Sequence, residues 1–242
     1  MVLACCWSVP LLLIFAVPSL GFSHHGKDFL ITTSSRTPHR GDWFGLFSAS
    51  YSRDAANSIL EPGILYGLTN GWSGELHLHV SEYNESPKLE AVGLEQRFLI
   101  WSGRDEDGEY DARFPLDIGA LVEIEKGIAS GAQDIVELRG AVSHETSSFI
   151  FAVNLIGLLP IALHQHTELK YALGVRRALV STLSAGIEFD GNIRDTDDLA
   201  LTPGLYLNLL NGLNLRFGTS IYLGSGSQHP TIRASLLYEL SE

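Results

Sequence analysis

Residues 63–80 read GILYGLTNGWSGELHLHV. After the Thr69-Asn70-Gly71 turn, Trp72, Gly74, Leu76, Leu78 and Val80 fall on one parity, and Ser73, Glu75, His77 and His79 on the other. Side chains alternate across a strand with a period of two, so the stretch is a strand with one apolar and one charged face. In a soluble sheet the apolar face points into a protein core. In a barrel set in lipid it points outward, and the charged face lines the interior.

The same period recurs from Asp42 to the end of the chain, and predicts about twelve strands, near 42–52, 58–68, 72–82, 89–101, 113–125, 134–143, 147–158, 166–176, 181–190, 200–209, 213–223 and 231–240. Strands of about 10–13 residues are long enough to cross a bilayer when tilted. In 116–125, one parity is apolar and the other carries Asp117, Glu123 and Glu125. The connections alternate as well. Thr69-Asn70-Gly71, Ser143-His144-Glu145-Thr146, the stretch around Arg177–Val180 and Asn211-Gly212 are short turns on one side. SEYNESPK, GIASGAQD, DGNIRDTDD and GSGSQHP are polar loops on the other, as periplasmic turns and external loops would be. The polar stretch 102–112, SGRDEDGEYDA, is a long loop on the turn side and breaks the pattern.

The composition agrees with a membrane barrel. The chain has 242 residues, 45% of them apolar and only 18% charged, with 24 glycines. A formal charge of −12 argues against a nucleic-acid partner. Residues 1–23 are uncharged, with an apolar run from Val9 to Val17 followed by small residues, which reads as a secretory signal peptide; an anchoring helix is the alternative. Both cysteines, Cys5 and Cys6, lie in that segment, so disulfide scaffolds, thiol chemistry and cysteine zinc sites are excluded from the rest. Residues 24–41 are polar without a clear period and read as a periplasmic lead-in, and 42–242 as an outer-membrane β-barrel.

A soluble sandwich also alternates. Three features favour the membrane barrel: charges gathered on one parity, an even strand count with unequal connections, and aromatic residues near strand ends. The aromatics are Trp43, Tyr51, Tyr66, Trp72, Trp101, Phe189 and Tyr238, where interface girdles belong. The run Phe149–Leu163, FIFAVNLIGLLPIAL, lacks alternation; it is too short for a spanning helix and reads as a strand followed by an apolar loop.

Pro62–Ser73, PGILYGLTNGWS, resembles a strand–turn–strand signature of bacterial outer-membrane porin-like barrels, and is similar to the transporter group of the phenol-degradation meta-pathway type. Tyr171–Val175 followed by Leu183–Glu188 resembles the same unit. The resemblance implies a closed antiparallel barrel in a Gram-negative outer membrane, passive transport, and no catalytic residues. Such barrels usually end in Phe or Trp, whereas here the end reads Tyr238-Glu239-Leu240-Ser241-Glu242.

The lumen parity comprises Glu75, His77, His79, Glu95, Arg97, Asp117, Glu123, Glu125, Glu137, Arg139, Glu168, Lys170, Arg176, Glu188, Arg216 and Arg233, with His166, Asp190, Asn214 and Glu239 on the same faces. Ten acids stand against six bases, which predicts either a wall of cross-strand ion pairs or a narrow conduit favouring cations and small polar solutes. His77-x-His79 puts two imidazoles about 7 Å apart on one face. A lone pair of this kind does not define a metal site, so neither metal nor cofactor is assigned. A lipid-active enzyme is the rival class; His144 beside Ser143 and Ser147 is available, but GxSxG is absent. A non-conducting structural barrel is a third class. The expected partners are outer-membrane lipid, the barrel-assembly machinery and small solutes.

Overall fold

The alternating segments pair in chain order. The computed structural model describes residues 27–52, 57–83, 86–104, 110–111, 114–161, 166–195, 198–209, 212–224 and 229–240. Its strands are β1 (Trp43–Ser52), β2 (Asn57–Thr69), β3 (Trp72–Tyr83), β4 (Ser86–Trp101), β5 (Asp117–Gly127), β6 (Ile135–Glu145), β7 (Phe149–Pro160), β8 (Glu168–Val180), β9 (Leu183–Asn192), β10 (Ala200–Asn208), β11 (Leu213–Tyr222) and β12 (Thr231–Glu239). All neighbours are antiparallel, and β1 closes on β12 from Phe44↔Glu239 to Ser52↔Thr231. Closure leaves no edge strand, so every strand has hydrogen-bonding neighbours on both sides. The expected signal peptide, residues 1–23, lies outside the described residues.

The opening stretch is apolar outward. Leu76 is 54% and Leu78 37% exposed, while Glu75 and His77 are buried inside the barrel. Around the barrel the outer face carries Phe47, Ile64, Leu94, Ile124, Leu138, Leu155, Leu205, Phe217 and Ile232, all exposed. A continuous apolar belt of this extent has no place in water and needs lipid. Near the end where β1 begins, aromatic side chains cluster in pairs: Trp43 with Tyr66 (4.2 Å between centroids), Trp72 with Phe98 (6.0 Å) and Trp101 with Phe114 (6.1 Å). They form the girdle of one interface. Replacing Leu78 by Arg puts a charge on the apolar belt and should lower barrel stability by about 2–4 kcal/mol in folding titrations from urea into bilayers. An unchanged midpoint would place Leu78 out of the lipid.

Several boundaries move. β6 continues through Ser143 and His144 to Glu145, so the turn to β7 is 146–148 and not 143–146. β3 and β4 extend into SEYNESPK, and β5 starts at Asp117, four residues later than its period suggested. Gly212 takes the left-handed φ of +73° just before β11; Asn211 lies outside the described residues. Phe149–Pro160 is one strand throughout, with Ile150, Ala152 and Ile156 buried on its inner face. It lacks polar alternation because part of the lumen is itself apolar.

That apolar surface is covered by the chain's own N-terminal segment. Within residues 24–41, expected as a periplasmic lead-in, 28–29 and 32–38 are buried inside the barrel and Leu30 and Ile31 are half-buried. The reversal occurs at 39–42, where the Asp42 amide donates to the His39 carbonyl (3.1 Å) and Gly41 adopts φ +93°. Glycine takes that left-handed conformation without steric cost. The segment therefore turns back from the start of β1 into the lumen instead of leaving the barrel.

Candidate functional site

An irregular segment buried in a barrel has no ladder to satisfy its backbone, so the wall must supply the partners. Glu188 of β9 accepts the amides of Leu30 (2.8 Å), Ile31 (2.8 Å) and Thr32 (2.6 Å), and the Tyr206 hydroxyl (2.9 Å). Asn154 of β7 pairs with Thr33 as a strand would. Its Oδ1 accepts the Thr33 amide (2.7 Å) and its Nδ2 donates to the Thr33 carbonyl (2.8 Å). The Ser35 amide donates to Ser143 Oγ (3.0 Å). Arg176 donates to the Asp28 carbonyl (2.7 Å), and Arg216 to the Phe29 carbonyl (3.2 Å). The Phe29 ring packs with Ile150, Ala152, Ala178 and Tyr206. Gly174 on β8 makes room for it, since a Cβ there would lie 2.9 Å from the ring.

The segment divides the inward charges into two groups. Arg176, Glu188 and Arg216 hold its backbone; Arg97 and Arg139 touch it while pairing with neighbouring carboxylates. Arg97 pairs with Glu95 and donates to Thr33 Oγ1 (3.1 Å), and Arg139 pairs with Glu137 (2.7 Å). Toward the loop end, His77 lies between Glu75 (3.3 Å) and Glu123 (3.0 Å), and His79 between Glu61 (3.1 Å) and Glu125 (3.6 Å). Lys27, from the segment, reaches Glu75 (2.9 Å). Arg233 donates to Ser220 Oγ (2.8 Å), and Lys170 pairs with a half-exposed Glu168 (2.9 Å) at the rim. Glu61, Asn154 and Lys27 are site residues that sequence reasoning missed. Glu61 lies on the inward parity of β2, and Asn154 is the single polar residue on that parity of β7, so both could have been found by counting.

Asp117 has a different task from its neighbours. It accepts from Ser102 Oγ (2.9 Å), the Gly103 amide (3.3 Å) and the Tyr110 hydroxyl (2.7 Å), and so ties these described residues of the β4–β5 connection to the start of β5. Burial, together with the hydrogen bond to Asp117, pushes the Tyr110 hydroxyl up to about 12, so it stays a donor at neutral pH. Arg104 reaches Glu145 (2.8 Å), and Arg36 of the segment pairs with the same carboxylate. Arg104 and Tyr110 of the long connection that broke the turn pattern thus join β5, β6 and the segment at the turn-side end of the barrel. His144 and Ser143 point to opposite sides of β6; His144 Nδ1 contacts the Pro115 carbonyl oxygen (2.5 Å), so the two do not form a Ser–His pair.

Above the segment a cavity of about 560 Å³ remains on the loop side. Its wall includes Glu61, Glu75, Glu95 and Glu123 on β2–β5, with Arg97 and Arg139 beside them and Arg216 and Arg233 on β11–β12; Lys27 belongs to the floor. The ten-to-six acid excess of the lumen parity does not reach this cavity, where four carboxylates face five bases and two imidazoles.

An apolar belt outside, charged walls inside, a closed antiparallel sheet and aromatic pairs at one rim define the class of transmembrane β-barrels of porin-like architecture. Comparison with solved structures agrees on the fold. The chain is similar to the KdgM porin (9% identity, TM-score 0.60, covering 82% of this chain and 99% of that one). It is likewise similar to the NanC porin (10%, 0.60, 81% and 100%), and to an outer membrane channel from Pseudomonas putida F1 (11%, 0.54, 83% and 96%). No family model and no curated sequence matches the chain.

Proposed function

We propose that the protein is a porin-like channel of a Gram-negative outer membrane, passing small polar solutes and ions through a lumen narrowed by its own N-terminal segment. The observation that carries this reading is the charged cavity enclosed by an apolar outer wall. A wall of that kind holds water in a low-dielectric surround, and its fixed charges select what enters. Carboxylates on β2–β5 with Arg97 and Arg139 beside them, and Arg216 and Arg233 on β11–β12, leave little net charge. The preference between cations and anions is therefore weak, in place of the cation bias expected from strand parity. The hairpin likeness to transporters of the phenol-degradation meta-pathway type makes small aromatic solutes the second class to assay.

Liposomes containing the folded protein should swell in small sugars and salts, and planar bilayers should show small steps of conductance with reversal potentials near zero across a salt gradient. A strong reversal potential of either sign would contradict the charge balance of the cavity. Silence in both assays would favour a structural barrel, and lipid hydrolysis by the purified protein would favour the enzymatic class.

A further inference from the structure

β3, β4 and β5 are adjacent, and the two imidazoles of β3 lean across β4 toward β5. The cross-strand partners of His77 and His79 on β4 are Gly93 and Ala91. A Cβ on Gly93 would lie 2.6 Å from Cε1 of His77, so glycine at this position lets the ring lie over β4 and reach Glu123. One coordinating atom from each of His77, His79 and Glu123 lies within 4.8 Å of the others, and the two ring centroids are 4.9 Å apart. His77 is 8% exposed, and its Nδ1 makes no hydrogen bond; nor does Nε2 of His79.

A neutral imidazole has one N–H and one lone pair. Each ring here has a carboxylate near both nitrogens, so a neutral ring in this place directs its lone pair at an anion. Four carboxylates, Glu61, Glu75, Glu123 and Glu125, surround the two rings, and Lys27 contacts Glu75. We propose that His77, His79 and Glu123 bind a divalent transition-metal ion of the zinc, copper or nickel kind on the wall of the loop-side cavity. The ion would match each lone pair with positive charge and offset the crowded carboxylates. Mixed imidazole and carboxylate donors suit these metals, whereas calcium and magnesium take oxygen ligands. Zinc bonds of about 2.0–2.2 Å put tetrahedral ligands roughly 3.3–3.6 Å apart. The ligand atoms, within 4.8 Å of one another, need to close by up to about 1.5 Å, which the partly exposed His79 and Glu123 side chains can do by rotation. Glu61, against Nδ1 of His79 (3.1 Å), is the outer partner that orients the ring when Nε2 coordinates. This site stands independently of whether the barrel conducts.

The test uses the full barrel, folded in detergent and stripped with chelator, titrated near neutral pH with zinc alone and then with cobalt. One zinc per barrel is expected by calorimetry, and cobalt should give visible absorption bands of mixed nitrogen and oxygen coordination. His79→Gln should weaken zinc by at least the roughly 10–100-fold that loss of an outer partner causes. Gly93→Val, which replaces none of the three ligands, should do the same by displacing the His77 ring. His39→Gln should change nothing. Each titration is read on protein whose heat-modifiable gel mobility shows a folded barrel. Absence of stoichiometric zinc binding to the unaltered protein overturns the proposal and leaves both rings as protonated partners of their carboxylates. Binding that survives both His79→Gln and Gly93→Val overturns it equally.

Discussion

Deleting residues 28–37 will raise single-channel conductance roughly tenfold, because the bore of a twelve-stranded barrel is narrow and this segment fills its middle. The segment is buried except at the half-buried Leu30 and Ile31, its backbone is bonded to β6, β7, β8, β9 and β11, and Lys27 reaches β3. The barrel should survive the deletion. Its closed ladder does not pass through the segment, and Glu188, Asn154 and Arg216 would become solvated by the water that replaces it. Planar-bilayer recordings of the two proteins decide the matter. Equal conductance would mean that the ion path bypasses the segment.

Glu188→Ala will free the segment without removing it. A single carboxylate, fully buried, accepts three consecutive amides and a tyrosine hydroxyl. Hydrogen bonds to an ionised acceptor are about twice as strong as neutral ones, and unpaired buried donors carry a desolvation penalty. Docking of the segment should weaken by about 3 kcal/mol, and the amides of Leu30, Ile31 and Thr32 should exchange with solvent roughly a hundredfold faster. The change should be confined to the segment, with amides of the barrel ladder retaining their protection. Uniform acceleration across the sheet would show instead that Glu188 supports the barrel itself. Unchanged exchange at residues 30–32 would show that the other anchors hold the segment alone.

The parity of residues 72–80 and its eleven counterparts made the barrel readable, because a strand in a wall between lipid and water must alternate wherever both faces differ in polarity. Even Phe149–Pro160, where both faces are apolar, could be placed by its length and its position between two turn signals. The inward position of Glu75, His77, Arg97 and Arg216 followed from the same count. Glu61 was overlooked although its parity on β2 was available, and Asp117 was placed inside without its partner loop, since 102–116 has no period to follow.

By itself, then, the sequence determined the closed twelve-stranded sheet, its inside and its outside, since these follow from a local two-residue repeat and from turns between neighbours. Only the tertiary structure decided what occupies the lumen. The Thr32–Thr37 stretch has no period because its partners are side chains on distant strands; Leu30 and Glu188 are separated by 158 residues, and Thr33 and Asn154 by 121. The same holds for His77 and Glu123, 46 residues apart, which meet only because the sheet sets β3 and β5 on either side of a glycine. Contacts made by side chains across a curved wall depend on how far the strands are staggered around the barrel, and that stagger is not written in the local pattern that forms each strand.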